Sequence, residues 1–289
     1  MKKITLILSA AAFACTVGLT SCAKKAATVE TPGCTNPNAF NYNKDAKKDD
    51  GTCQLPQTTK KAAIYDITGL WCPPCGEYGL PTFDKVSTDN KLTAVPFSLH
   101  SNDLFSSPAA TLLINGIFKE SSVPRMAVGT DWVFKAGVTT DINYNAQKMT
   151  AAINNIVLND LVVGTNITKS ISGGTLTVTT NSKFASAQSG TDYYLAVFVL
   201  ENGLIGEQET VNKGKLSMTH NHVLRHCFNT SITGDLLASG TIEANKVITK
   251  TFTKVLPVLW NPANLSIATV IYYRDGSGIM KFENANILE

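Results

Sequence analysis

Trp71-Cys72-Pro73-Pro74-Cys75 follows a short apolar run, Ala62-Ala63-Ile64-Tyr65-Asp66-Ile67, and precedes a segment from Gly76 to Asn90 that can form a helix. A strand, then two cysteines two residues apart, then a helix is the setting in which two thiols become a redox pair. The reason is electrostatic. The first cysteine sits at a helix N-terminus, where unpaired N–H groups and the positive dipole end favour a thiolate. The second lies one turn away and can resolve a mixed disulfide. Pro73 and Pro74 stiffen the dipeptide between them. On this reading Cys72 is the more exposed and more acidic thiol, and Cys75 is shielded by the helix.

The residues around the motif extend the pattern. Ile64 to Thr68 reads as a buried first strand, and Pro81 as a kink in the following helix. Lys91 to Leu99 reads as a second strand. Ser106-Ser107-Pro108 is a helix-start signal ahead of Ala109 to Phe118. Asn145 to Asp160 carries Met149, Ile153, Ile156 and Val157 at helical spacing.

With these residues in view, 61–160 resembles a thioredoxin-like domain. Trp71 stands directly before the cysteine pair, Asp66 lies six residues before Cys72, and Val123-Pro124 precedes a strand. The resemblance implies that Asp66 is a buried proton acceptor. It implies that Pro124 is a cis-proline facing the disulfide, and that Trp71 and Val123 contact a substrate chain. It further implies thiol–disulfide chemistry, as in the membrane-tethered periplasmic branch of that group. Plainer readings stay open. Asp66 alternates with Ile64 and Thr68 and could face solvent, and Trp71 could be a packing residue. The cysteine pair could be a static disulfide. Zinc usually needs four ligands, and no second such pair is present. Nothing calls for a cofactor.

The chain opens with a targeting segment. Met1-Lys2-Lys3 is a positive start, Ile4 to Leu19 is apolar, and Leu19-Thr20-Ser21-Cys22 resembles a bacterial lipobox. Residues 1–22 are therefore expected to be a lipoprotein signal, with Cys22 acylated and the protein held on a lipid bilayer. An ordinary secretory signal with a chance cysteine is the alternative. The implied location is the cell envelope, most readily the outer membrane, on either face. A chain of 289 residues with 44% hydrophobic and 16% charged residues is long enough for two domains. A net charge of +3, with lysines scattered along the chain, gives no nucleic-acid footprint.

Seven cysteines are present, and an exported setting permits disulfides. Cys72 pairs with Cys75, Cys34 is expected to pair with Cys53, and Cys227 is left as a small buried apolar residue. Residues 23–60 form a tether that includes a Cys-bounded module, 34–53, of a kind found in extracellular bacterial proteins. Asn41, Asn43, Asp45, Asp49 and Asp50 could hold calcium, but their spacing is not that of an EF-hand, and a turn-rich spacer is the better reading. Gln54 to Lys60 is expected to be a flexible joint.

From Leu161 the pattern turns to strands: 165–171, 175–179, 193–199, 266–273, and one or two more within 240–252. Residues 161–289 are expected to form an immunoglobulin-like β-sandwich. On a single strand His220, His222 and His226 would share one face. They would be too widely spread for one metal, and no metal site is expected.

The order of lipobox, CxxC unit and strand-rich half, with Glu201-Asn202-Gly203-Leu204-Ile205-Gly206 and His220-Asn221-His222-Val223-Leu224-Arg225, resembles the 28-kilodalton outer-membrane lipoprotein family over about 60–289. That resemblance speaks for architecture more than for activity. Two functions compete. One is a tethered thiol–disulfide oxidoreductase: Cys72 attacks, Cys75 resolves, Asp66 moves a proton and Val123-Pro124 orients the substrate. Its partners would be exported protein thiols or disulfides and a membrane electron donor. The other is a surface-binding protein, adhesin- or receptor-like, that keeps the fold only as a scaffold.

Overall fold

The computed structural model describes residues 31–119, 122–134 and 137–289. The signal segment, the lipobox and Cys22 lie outside the described residues.

The N-terminal module is closed by the Cys34–Cys53 disulfide, and its ends meet in a two-residue parallel pairing of β1 (Pro32–Gly33) with β2 (Lys48–Asp49). Its acidic and amide side chains bend their own backbone. Asn36, Asn43, Asp49 and Asp50 each accept from the N–H two residues on. This is how Asn and Asp make turns. The stretch after the module is not a free joint. Gln57 donates to the Ala285 carbonyl and accepts from Asn284, and Lys60 forms a buried ion pair with Glu283 at 3.0 Å.

The α/β half contains β3 (Ala62–Thr68), α1 (Leu80–Asp89), β4 (Ala94–His100), α2 (Pro108–Leu113), β5 (Arg125–Val128), β6 (Asp131–Trp132) and α3 (Ile142–Val157). β3 pairs in parallel with β4 and antiparallel with β5. Ser107 caps α2, accepting from the Ala110 N–H at 3.1 Å, with Pro108 in the first turn as the sequence signal requires. The helical run is irregular just ahead of Pro81. Pro81 stands at the second residue of α1, which directly follows a π-helical turn at Cys75–Gly79.

The strand-rich half supplies β7 (Val163–Ser172), β8 (Thr175–Phe184), β9 (Asp192–Glu201), β10 (Leu204–Thr210), β11 (Gly214–His220), β12 (Val223–Cys227), β13 (Asp235–Ala238), β14 (Val247–Val255), β15 (Leu265–Arg274) and β16 (Met280–Leu288). β14, β8 and β7 form a three-stranded sheet. β16, β15, β9 and β12 continue directly into β4, β3, β5 and β6, with β13 also on β9. The joint is narrow: β12 lies parallel to β4 at Val223 and Ser98, and the Ser98 N–H donates to the His222 carbonyl at 2.8 Å.

Period two explains the layers, because the central strands are buried on both faces. On β3, Ala62 and Ile64 face α1 and α3 beside Phe83, Val86, Met149 and Ile153. Ala63, Tyr65 and Ile67 face the other way. There they meet α2, Phe198 and Leu200 of β9, and Val270 and Tyr272 of β15. On β9, Leu195, Val197 and Val199 point away from that core and pack on β7 and β8. The sheet brings its distant strands together: the Ala285 N–H of β16 donates to the Lys61 carbonyl beside β3, and the Tyr65 and Tyr272 hydroxyls lie 3.3 Å apart. The 61–160 and 161–289 units thus share a core, and the molecule as a whole is β-rich with few helices.

The histidine run does not lie on one strand. His220 ends β11, His222 sits in the turn with φ of 57°, and His226 belongs to β12. Cys227 is half-buried against the shared core, and burial pushes its thiol up to about 11, the behaviour of an inert residue.

Candidate functional site

β3 leads straight into the cysteine pair. After Thr68 the chain turns through Gly69 and Leu70, and the Trp71 indole N–H donates to the Ser101 carbonyl at 2.8 Å, leaving the ring half-exposed at 50%. Cys72 and Cys75 are joined as a disulfide, and the Cys75 N–H points at the Cys72 sulfur at 3.2 Å. The Val123–Pro124 bond is cis. Pro124 packs on the far side of the π-helical turn, where a Cβ on Gly79 would stand 3.1 Å from the proline Cβ.

Asp66 is fully buried, and neither of its carboxyl oxygens has a hydrogen-bond partner among the described residues. Burial, and secondarily the Asp84 carboxyl on α1, push it up to about 8. Asp66 retains none of its surface, so the solvent-facing alternative does not hold.

Both cysteines are buried: Cys72 retains 3% of its surface, against 0% for Cys75. The cover comes from the strand-rich half. Among the described residues β10 and β11 pair only with each other, as a hairpin laid over the motif. Buried Gln208 of β10 points its side-chain amide at the carbonyls of Cys72 at 3.0 Å, Gly69 at 3.2 Å and Leu70 at 3.3 Å. The Glu209 N–H donates to the Leu70 carbonyl at 2.8 Å. Gly76 permits this approach, since a Cβ there would fall 2.3 Å from the Glu209 carbonyl oxygen.

A second polar cluster braces the turn. Asp103 accepts from the Leu70 N–H at 2.8 Å and lies 2.7 Å from Nδ1 of His100. Burial alone would raise this carboxyl, but the bonds from His100, Leu70 and Phe105 hold it below its ordinary value. The His220 ring stands edge-on to His100, 5.0 Å between centroids, and burial together with that neighbour pushes it down to about 4.

Trp71, Cys72 and Cys75 follow one another at the end of the strand that carries Asp66, and Pro124 packs against Gly79 at the far end of the turn that begins with Cys75. Val123 packs against the shared core. Cys34 and Cys53 form a separate cross-link in the module. Gln208, Gly76, Asp84, His100 and Asp103 were not singled out by the sequence.

The comparisons bear on the second half most directly. The family model described as outer membrane protein Omp28 matches residues 134–289, more than half of the chain and entirely downstream of the cysteine pair. HBP35 of Porphyromonas gingivalis is similar in fold, with a TM-score of 0.61 at 15% identity over 80% of this chain and 76% of that one. A domain of the outer membrane lipoprotein Omp28 from Porphyromonas gingivalis aligns with a TM-score of 0.30 at 15% identity, over 45% of this chain and 88% of that one. No curated protein matches the chain. On the strength of the 134–289 match, the chain belongs to the Omp28 family of outer membrane proteins.

Proposed function

We propose that this family member is an envelope lipoprotein, acylated at Cys22, whose 61–160 portion is a thioredoxin-like unit that exchanges disulfides with exported proteins. The observation that carries the reading is the Cys72–Cys75 disulfide at the end of the strand that holds a buried, partnerless Asp66. In the oxidising direction a substrate thiolate attacks Cys72 Sγ. The Cys72–Cys75 bond breaks, a mixed disulfide forms on Cys72, and Cys75 leaves as a thiolate that takes the Asp66 proton. A second substrate thiolate then displaces Cys72. The substrate has lost two electrons and gained a disulfide, and the pair is left as a dithiol. A membrane oxidant must reset it. In the reverse direction a dithiol donor supplies the electrons. In this reading Val123-Pro124 and Trp71 are the contacts for the substrate chain.

The test is trapping in the envelope. Cys75→Ser is expected to accumulate mixed disulfides with exported proteins, and Cys72→Ser to accumulate none. Absence of trapped partners in Cys75→Ser would remove the exchange reading. A second reading draws on one observation, the burial of both cysteines. In it the disulfide is structural and the protein is a non-catalytic surface-binding molecule. A reduction potential far below those of exchangers, under about −300 mV, would favour it.

A further inference from the structure

β9 and β12 pair antiparallel with Val223 opposite Glu201, and β10 and β11 pair with His220 opposite Leu204. The register therefore carries through from one pair to the other, so the four strands form one long ribbon, with a bulge further along between Leu224 and His226 and a break of two residues on each side where the pairs meet. Those residues are Asn202-Gly203 and Asn221-His222, where Gly203 has φ of 71° and His222 of 57°. The two crossings are laced together: Gly203 N–H donates to the Asn221 side chain at 3.0 Å, and His222 N–H to the Asn202 side chain at 2.8 Å. Beyond this bend the ribbon leaves the main sheet.

The distal arm lies against the disulfide at three levels. At its base Gly206 is in close contact with Leu70 and Phe105. At its middle Gln208 and Glu209 bond the carbonyls around Cys72. At its tip Asn212 donates to Glu77, on the turn that follows Cys75, at 3.3 Å. The Gln208 amide has two protons and four carbonyls within reach, including its neighbour's, so its bonding is shared rather than additive. Pro124 packs against Gly79 on one part of this turn, and the arm covers Gly76 on another.

We propose that the β10–β11 arm is a lid over the Cys72–Cys75 disulfide, hinged at Asn202-Gly203 and Asn221-His222, and that Gln208 is the residue that latches it. The proposal deepens the exchange reading: a protein thiolate reaches Cys72 Sγ only after the arm swings away. The strand-rich half then decides when the cysteine pair reacts. An arm with its own hinge, paired to no other strand among the described residues and held by the Gln208, Glu209 and Asn212 bonds and by Gly206 and His220 against Leu70, Phe105 and His100, is an element that can open as a unit of its own.

The experiment measures reduction of the Cys72–Cys75 bond in the full chain by dithiothreitol. Each turnover gives a Cys72 and Cys75 dithiol and cyclic oxidised reagent. Hydrogen exchange across the arm is followed in parallel. Gln208→Ala removes the latch, and Gly76→Ala pushes the arm off from the other side. Both are expected to accelerate reduction by roughly tenfold, the effect of one or two lost hydrogen bonds. Exchange should rise in 204–220, while β9 and β15 keep their protection. Arm amides that exchange faster with no change in reduction rate overturn the lid, as does an unchanged rate in both variants. The readout is separate from the trapping test. Faster reduction with no trapped protein partner retains the lid and removes the exchange reading. Trapped partners with unchanged reduction do the reverse.

Discussion

Asp66 shows what a single carboxyl can report. It is raised from 3.8 to about 8, first by burial and then by Asp84, so between those two values the folded chain holds a proton that the unfolded chain has released. Stability then falls as pH rises from about 4 to about 8 and levels off above it. Asp66→Asn removes this dependence. The variant and the parent should be similar in stability near pH 4, and the variant more stable by several kcal/mol near pH 8, as read by urea unfolding at the two values. A difference that stays flat across this range would show that Asp66 is charged in the fold. His220 carries the opposite sign. Its folded value, about 4, lies below the ordinary 6.5, so the unfolded chain binds the extra proton as pH falls through that window. Stability is therefore lost on acidification from 6.5 towards 4, and His220→Phe should flatten the loss. The Asp66 environment was only partly legible in the sequence. Six-residue spacing from Cys72 marked the position, but the alternation along β3 pointed as readily to solvent. What buries it is a second layer, the helices α1 and α3 packed on that face of β3, which no local pattern reveals.

At the scale of elements, the legible parts are those whose signal is local. Ser107-Pro108 announces α2 because capping and a first-turn proline act within four residues. Gly76 to Asn90 announces a helix, although its first turn is π-helical. The β10–β11 arm was missed because its inward face is Gly206, Gln208 and Thr210, which hydrophobic alternation does not register. The single-strand reading of the histidines failed because Asn221 and His222 are the hinge rather than strand. Ser107 does a second job that capping rules do not predict. Its hydroxyl also donates to the Leu224 carbonyl of β12 at 2.6 Å, tying α2 to the strand-rich half. Ser107→Ala should therefore cost more than an isolated cap, about 2 kcal/mol against about 1, measured by chemical denaturation. A loss under about 0.5 kcal/mol would mean that the bond to β12 adds nothing in solution.

At the scale of the whole molecule, composition suggested two units meeting near residue 160, and the strands themselves were largely legible on either side. Their joining was not. Pairing of β12 with β4, and packing of β9 and β15 beneath β3, link residues more than a hundred positions apart, and such pairings leave no trace in local periodicity. Phe198 stands at the meeting point. It is fully buried in the shared core and edge-on to Phe97 of β4, with ring centroids 5.5 Å apart. If the core is one, neither half can lose it alone. Phe198→Ala should cost about 3–5 kcal/mol, the range for a large aromatic removed from a packed interior. It should shift a single unfolding transition, seen equally by amides of β3 and of β15. Two separated transitions, with only the strand-rich half responding to Phe198→Ala, would show instead that the halves fold independently and merely touch. In that case the arm over Cys72 would be held by its own contacts and not by the core behind it.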